Sequence, residues 1–197
     1  MRRPLLMTVL AFASLGGAAT PYRSVDLTLT QGTGDFTVRA MASASPTLGA
    51  RTPSVRDGVA SVRAVHQVGD WTVGVSPKLP LALTVRHETG TLTLDLRGLT
   101  LTAASVNHEV GDLHVTLPSG PLSASIVNGQ GNVSITAPAT VGVSATVSVT
   151  RGHVRVADRE VANGLNVTGT YRTPNYATSK HHVKLSIVVN EGDVDLR

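Results

Sequence analysis

Seven residues near the C-terminus could hold an anion. Tyr171, Arg172, Tyr176, Lys180, His181, His182 and Lys184 fall within 14 residues, and no acidic residue interrupts them. Cations beside aromatic rings suit phosphate contact with base stacking, and they suit an anionic wall polymer equally well. Three histidines, His66, His87 and His108, recur at steps of 21 residues. Neutral imidazoles so placed could ligate a divalent metal. They could also join Gln31 and Asn128 in a polar row that satisfies backbone groups at turns. Asp35, Asp70, Asp112 and Asp193 recur with Asn132 in a second series. Two carboxylates at a suitable separation would make a glycosidase pair, although Asp and Asn are also ordinary turn residues. The chain shows no nucleophile–base arrangement and no glycine-rich phosphate loop running from strand into helix. It has no cysteine, so disulfides and thiolate metal sites are excluded. No cofactor is implied.

These residues are positioned by a repeat. Gly69, Gly90, Gly111, Gly131 and Gly152 follow one another at steps of 21, 21, 20 and 21, with Gly34 before and Gly192 after. Positions −9, −7 and −5 from each glycine are regularly apolar, as in Leu81, Leu83 and Val85. Positions +2 and +4 are apolar in every copy, from Phe36 and Val38 to Val194 and Leu196. Period two on both sides of the glycine means two strands with one buried face each. The glycine turns the chain between them. One such rung cannot bury its apolar row alone, whereas stacked rungs bury all the rows together. The expected fold is all-β: a single-stack parallel β-solenoid of about 21 residues per rung. An antiparallel β-sandwich is the alternative.

On this scheme the histidines stack at position −3 on consecutive rungs. Charging three close imidazoles is disfavoured, so their folded pKa values should lie below the ordinary one. The acidic series lies at +1, which puts Asp70 and Asp112 two rungs, roughly 10 Å, apart. The +3 series, Thr37, Thr72, Thr93, His114, Ser134, Arg155 and Asp195, faces outward.

Two steps are irregular. Gly34 to Gly69 spans 35 residues, and the excess falls in 41–58, rich in Ala, Ser, Pro and Gly. Gly152 to Gly192 spans 40, and 159–182 reads as a degenerate rung or a protruding hairpin. Insertions in solenoids often carry the binding surface. Residues 1–19 have the plan of a cleaved export signal: Arg2 and Arg3, a short apolar run, then Gly17-Ala18-Ala19. Residues 20–197 form one domain with no other stretch able to span a membrane. The chain carries +4 overall, with 17 basic and 13 acidic residues. Without Arg2 and Arg3 that falls to +2, modest for a general polyanion binder.

The phrases VGDWTV, TGTLTL, VGDLHV, QGNVSI, RGHVRV and EGDVDL resemble the bacterial adhesin-like families with a toast-rack type β-solenoid. The resemblance covers residues 25–40 and 60–197 and rests on turn and core positions. It implies an envelope-associated, non-enzymatic protein and transfers no catalytic residue. The expected function is an exported binding or interaction module whose partner is an anionic cell-wall polymer, a protein or a second copy of itself. A nucleic-acid-binding protein using residues 171–184 is the second reading. A carbohydrate-active β-helix enzyme is the third. An uncleaved N-terminus would place the chain in the cytoplasm.

Overall fold

The structure, a computed structural model, describes residues 6–10, 23–41 and 54–197. It is built of strand pairs that meet at the repeat glycines: β2 (Ser24–Thr33) with β3 (Phe36–Ala40), and β5 (Val59–Val68) with β6 (Trp71–Val75). Next come β7 (Leu81–Thr89) with β8 (Leu92–Asp95), β9 (Leu101–Val110) with β10 (Leu113–Thr116), and β11 (Leu122–Gln130) with β12 (Val133–Thr136). β13 (Val141–Val156) is one long strand through its corner, and β15 (His181–Glu191) with β16 (Val194–Leu196) is the last pair. The pairs stack in parallel as one open sheet folded into two wings, so the fold is a β-solenoid and not a sandwich. Inward rows from both wings form one core, in which Leu27, Leu83, Leu92, Leu113, Ile126, Val147 and Ile187 are buried. Alternation places them there, because successive side chains on a strand point to opposite faces.

The rungs do not stack in chain order. Their spatial order is β5/β6, β2/β3, β7/β8, β9/β10, β11/β12, β15/β16, β13. The first copy is enclosed by the second and third, and the last by the fifth and sixth. Two connections of ordinary length, 76–80 and 137–140, therefore step over a whole rung. Four or five extended residues reach that far easily. Regular spacing along the chain is thus silent about which rungs touch.

The interruptions become edge covers. β14 (Arg159–Arg172) runs antiparallel along β13 from Ser144↔Arg172 to Val156↔Arg159. The segment read as a degenerate rung or protruding hairpin is therefore a strand laid along the stack's end, where an open edge would otherwise invite pairing. At the other end, β4 (Ser54–Arg56) pairs antiparallel with β5. Of the proposed 41–58 excursion, residues 42–53 lie outside the described residues. Within the segment read as an export signal, β1 (Leu6–Leu10) pairs parallel with β6, and the rest lies outside the described residues. Among the described residues, no helix is long and apolar enough to cross a membrane.

The corner glycines touch one another. A Cβ on Gly111 would lie 2.1 Å from the Gly90 carbonyl oxygen, and one on Gly131 would lie 2.1 Å from that of Gly111. Both residues also have positive φ, 130° and 121°. Glycine is required twice over: for the turn, and for the close approach of neighbouring backbones.

Candidate functional site

Of the basic and aromatic residues expected to act together, Arg172, Tyr176 and His182 meet beside the end cover. The connection from β14 to β15 is folded tightly onto β13. Thr173 N–H donates to Val143 O at 3.0 Å, and Val143 N–H donates to Thr173 Oγ1 at 2.9 Å. Asn175 Nδ2 donates to the carbonyls of Ala139 and Val141, both at 3.0 Å, and Ser179 Oγ donates to Asn175 O at 2.8 Å. The turn rests on Gly142, where a Cβ would meet Tyr176 Cα at 2.7 Å. This seating brings the Arg172 guanidinium to 5.1 Å from the Tyr176 ring centroid. The His182 ring lies 4.7 Å from that of Tyr176, and its Nε2–H donates to Tyr176 O at 2.9 Å.

Strand register extends the cluster. Arg172 pairs with Ser144, Ser144 with Lys184, and Lys184 with Ser123. Two cations thus flank a hydroxyl on one outward row, with neighbouring strands about 4.8 Å apart. Lys180 and Lys184 are exposed, and His181 is half-buried. Among the described residues, ion pairs occupy Arg56, Arg97, Arg151, Arg155 and Arg197 but not Arg172, Lys180 or Lys184. Tyr171 faces the other way and packs partly buried against the core. Unpaired cations around a hydroxyl can bind an oxyanion. Base stacking finds less support, because Tyr176 is already in contact with Arg172 and His182, and Tyr171 is turned inward.

The histidine column is corrected by the stacking order. Gln31 pairs with both His66 and His87, so it stands between them. Only His87 and His108 are neighbours, stacked with centroids 4.8 Å apart and planes 4° apart. His66 lies against Trp71 instead, at 5.5 Å. Each ladder member caps a glycine carbonyl that the corner turns inward. Gln31 Nε2 donates to Gly69 O at 2.7 Å, His87 Nε2 to Gly34 O at 2.8 Å, and His108 Nε2 to Gly90 O at 2.9 Å. Asn128 Nδ2 donates to the carbonyl of its own corner, Gly131, at 2.7 Å. No group of three or more His, Cys, Asp or Glu side chains able to hold a metal occurs among the described residues. Burial pushes the pKa of both His87 and His108 below the ordinary value. Repulsion from His87 is a lesser contribution, and it acts on His108.

The acidic series is a second, outer ladder. Asp70 Oδ1 accepts the Asp35 N–H at 3.0 Å, and Asp35 Oδ1 accepts that of Thr91 at 2.9 Å. Asp112, Asn132 and Asp193 accept in turn from Asn132, Asp193 and His153. Asp70 and Asp112 are separated by the Asp35 and Thr91 rungs, so they stand three rungs, about 14 Å, apart and not two. That is beyond the separations of glycosidase carboxylates, about 5–9.5 Å. A shallow recess of about 500 Å³ elsewhere on the outward face holds Arg86, Glu88, Asn107 and Glu109.

Ser144, Asn175 and Gly142 escaped the sequence reading, because none belongs to a recurring polar series. One series could have been found. Position −6 is Arg63 on the outermost rung and then Thr28, Thr84, Ser105, Ser125, Ser186 and Thr146 in spatial order, a hydroxyl row over six of the seven rungs that Thr170 continues.

Comparison with known proteins follows this architecture. The family described as "Cell wall-active antibiotics response LiaF, C-terminal" matches residues 104–196. The family described as the N-terminal domain of toast_rack matches residues 54–136. A crystal structure described as that of a candidate cell adhesion protein from Clostridium sporogenes aligns with a TM-score of 0.69 at 17% identity, over 89% of this chain and 93% of that one. This likeness concerns the fold. None of these descriptions names an enzyme. No curated protein matches the chain.

Proposed function

We propose that this chain, a member of the toast-rack family of β-solenoids, is a non-enzymatic binding module exported to the bacterial cell envelope. Its ligand face is the cluster Arg172, Tyr176, Lys180, His182 and Lys184, and its ligand is an anionic cell-wall polymer. The observation that carries this reading is the seating of Arg172 and Lys184 on either side of Ser144, with no acidic partner among the described residues, on a turn locked by Asn175. Seated cations lose little freedom on binding, and preorganisation raises affinity. The cell-wall response family matched over residues 104–196 gives the setting.

The acidic ladder supports no hydrolytic reading, because each of its carboxylates that accepts a backbone N–H is committed to a corner. Nucleic acid is the competing ligand, since phosphates alone would satisfy the cations. The test is binding of the full chain to a purified anionic wall polymer and to a single-stranded oligonucleotide of equal charge. The expected result is salt-dependent binding of the wall polymer, weakened at least tenfold when Arg172, Lys180 and Lys184 become Ala. Tighter binding of the oligonucleotide, with strong preference among bases, would transfer the proposal to nucleic acid. Polymer binding unchanged in the triple variant would remove the cluster from it.

A further inference from the structure

The outward recess on β7 and β9 holds a grid of hydrogen-bonding groups that the fold does not use. Arg86 and Glu88 of β7 stand beside Asn107 and Glu109 of β9, with Arg86 opposite Asn107. The pairs His87↔His108 and Thr89↔Val110 bracket the other two, so Glu88 lies opposite Glu109. Neighbouring strands are about 4.8 Å apart and alternate residues about 6.7 Å, which sets the size of the grid. All four side chains are exposed. Among the described residues, none of them has a hydrogen-bond or ion-pair partner.

Other charges on this surface behave differently. Arg97 and Asp95 are two residues apart and pair at 2.6 Å, and Arg151 reaches Glu191 on the next strand at 3.3 Å. Arg86 and Glu88 have the same two-residue spacing and stay apart. Like charges directly opposite one another on neighbouring strands are destabilising, yet Glu88 and Glu109 are so placed. Gly32 and Gly129 flank that pair in the same row, so its two sides are bare backbone. Positions −4 and −2, which supply the grid, do not recur along the stack as the ladders at −3 and +1 do. Position −4 reads Thr30, Arg86, Asn107, Val127, and position −2 reads Gly32, Glu88, Glu109, Gly129.

The lining selects the ligand. Arginine only donates, carboxylates only accept, and asparagine does both. The hydroxyls of Thr84, Ser105 and Ser125 add groups of either kind. Adjacent hydroxyls on a sugar also donate and accept, so they fit a wall in which donors and acceptors stand side by side. A simple anion is opposed by two carboxylates, and a simple cation meets Arg86 beside them. A protein partner needs an apolar centre. Of the apolar residues lining the recess, Val85 and Val106 are buried and Val127 alone is exposed. The volume, about 500 Å³, lies within the roughly 300–1,000 Å³ of small-ligand sites.

We propose that this recess is a saccharide-binding site, taking a neutral sugar unit whose adjacent hydroxyls bridge Arg86 and Asn107 to Glu88 and Glu109. A second hollow, of about 410 Å³, shares Ser125 with it and reaches Lys184, so a glycan seated here extends toward the cation cluster. The site needs no charge on its ligand and does not depend on the reading of that cluster.

The experiment is a nuclear magnetic resonance titration of the 15N-labelled full chain with neutral tetrasaccharides of the chito-, cello-, malto- and manno- series, at low and at high salt. At least one should shift the amides of β7 and β9, equally at both salt concentrations. Arg86→Ala with Asn107→Ala should weaken that binding at least tenfold. Glu109→Gln should weaken it several-fold and raise the thermal midpoint by about 1–3 °C, because it removes the like-charge pair. That combination separates a ligand group from a structural one. The proposal is overturned if no tetrasaccharide shifts these amides, if binding fades with salt, or if calcium alone produces the same shifts. It is equally overturned if either variant that folds binds as the native chain does. The native titration decides alone if neither folds.

Discussion

The corner column and the β13–β15 end use the same residue types to opposite purposes. At the corner, histidines and carboxylates recur with the repeat, and the structure spends them on backbone groups: glycine carbonyls inside, N–H groups of the next rung outside. At the end, Arg172, Lys180, His182 and Lys184 gather around the segment where the repeat fails, and among the described residues none of them has an acidic partner, unlike Arg151, His153 and Arg155 nearby. The same side chains are structural where they are periodic and available where they are not. Recurrence in a solenoid therefore points to what every rung needs. Departure from it points to what this chain does differently.

Removing the last rung should have the largest effect. In a stack ordered along the chain, deleting residues 181–197 would trim an end. Here β15/β16 lies between β11/β12 and β13, so the deletion removes an enclosed rung and separates β13 and β14 from the rest of the stack. The expected outcome is complete loss of the cooperative thermal transition by circular dichroism. A truncated chain that still melts cooperatively would refute the enclosed order.

Substitution at two corner glycines has the next largest effect. Gly111→Ala meets both a positive φ and a carbonyl at 2.1 Å. It should cost roughly 3–5 kcal/mol, combining strained backbone with overpacking. Gly69, on the outermost rung, also has positive φ, but its nearest contact would be the His66 Nε2 at 3.9 Å. Gly69→Ala should cost only about 1–2 kcal/mol. Chemical denaturation of both variants checks the difference, and equal costs would mean that backbone approach is unimportant.

Gly142→Ala sharpens the comparison at the other region. The new methyl would press on Tyr176 Cα, so the turn must lift while the rung beneath stays paired. Stability should fall by about 1–2 kcal/mol. Polymer binding should drop several-fold although no cation has been altered. Unchanged binding would show that the cluster needs no preorganised turn.

Most of the corner was legible in the sequence, and most of the end was not. Alternation around each glycine reveals inward rows without any knowledge of neighbours, so Leu83, Leu92 and Val115 could be placed in the core directly. Neighbour relations are another matter. Gly69 and Gly90 are 21 residues apart, as are Gly90 and Gly111, yet only the second pair sits on adjacent rungs. That is why the structure departs from the three-histidine column and the two-rung Asp70–Asp112 separation that the spacing predicts. The candidate patch could be named from its charges alone. Its seating on Gly142, its lock through Asn175 and its shared hydroxyl at Ser144 depend on β14 running antiparallel, which no local pattern announces.

On the proposed function, binding belongs to the broken end and not to the periodic corner. One measurement tests it most directly: affinity for the anionic wall polymer, beside the thermal midpoint, in two multiple variants. His87→Gln with His108→Gln keeps the ladder's carbonyl caps with the residue type already found at Gln31, and should leave binding unchanged at pH 7.5. Arg172→Ala with Lys180→Ala and Lys184→Ala should lose at least tenfold in affinity while shifting stability by less than about 0.5 kcal/mol per site. Loss of binding in the corner variant with retention in the end variant would contradict the claim.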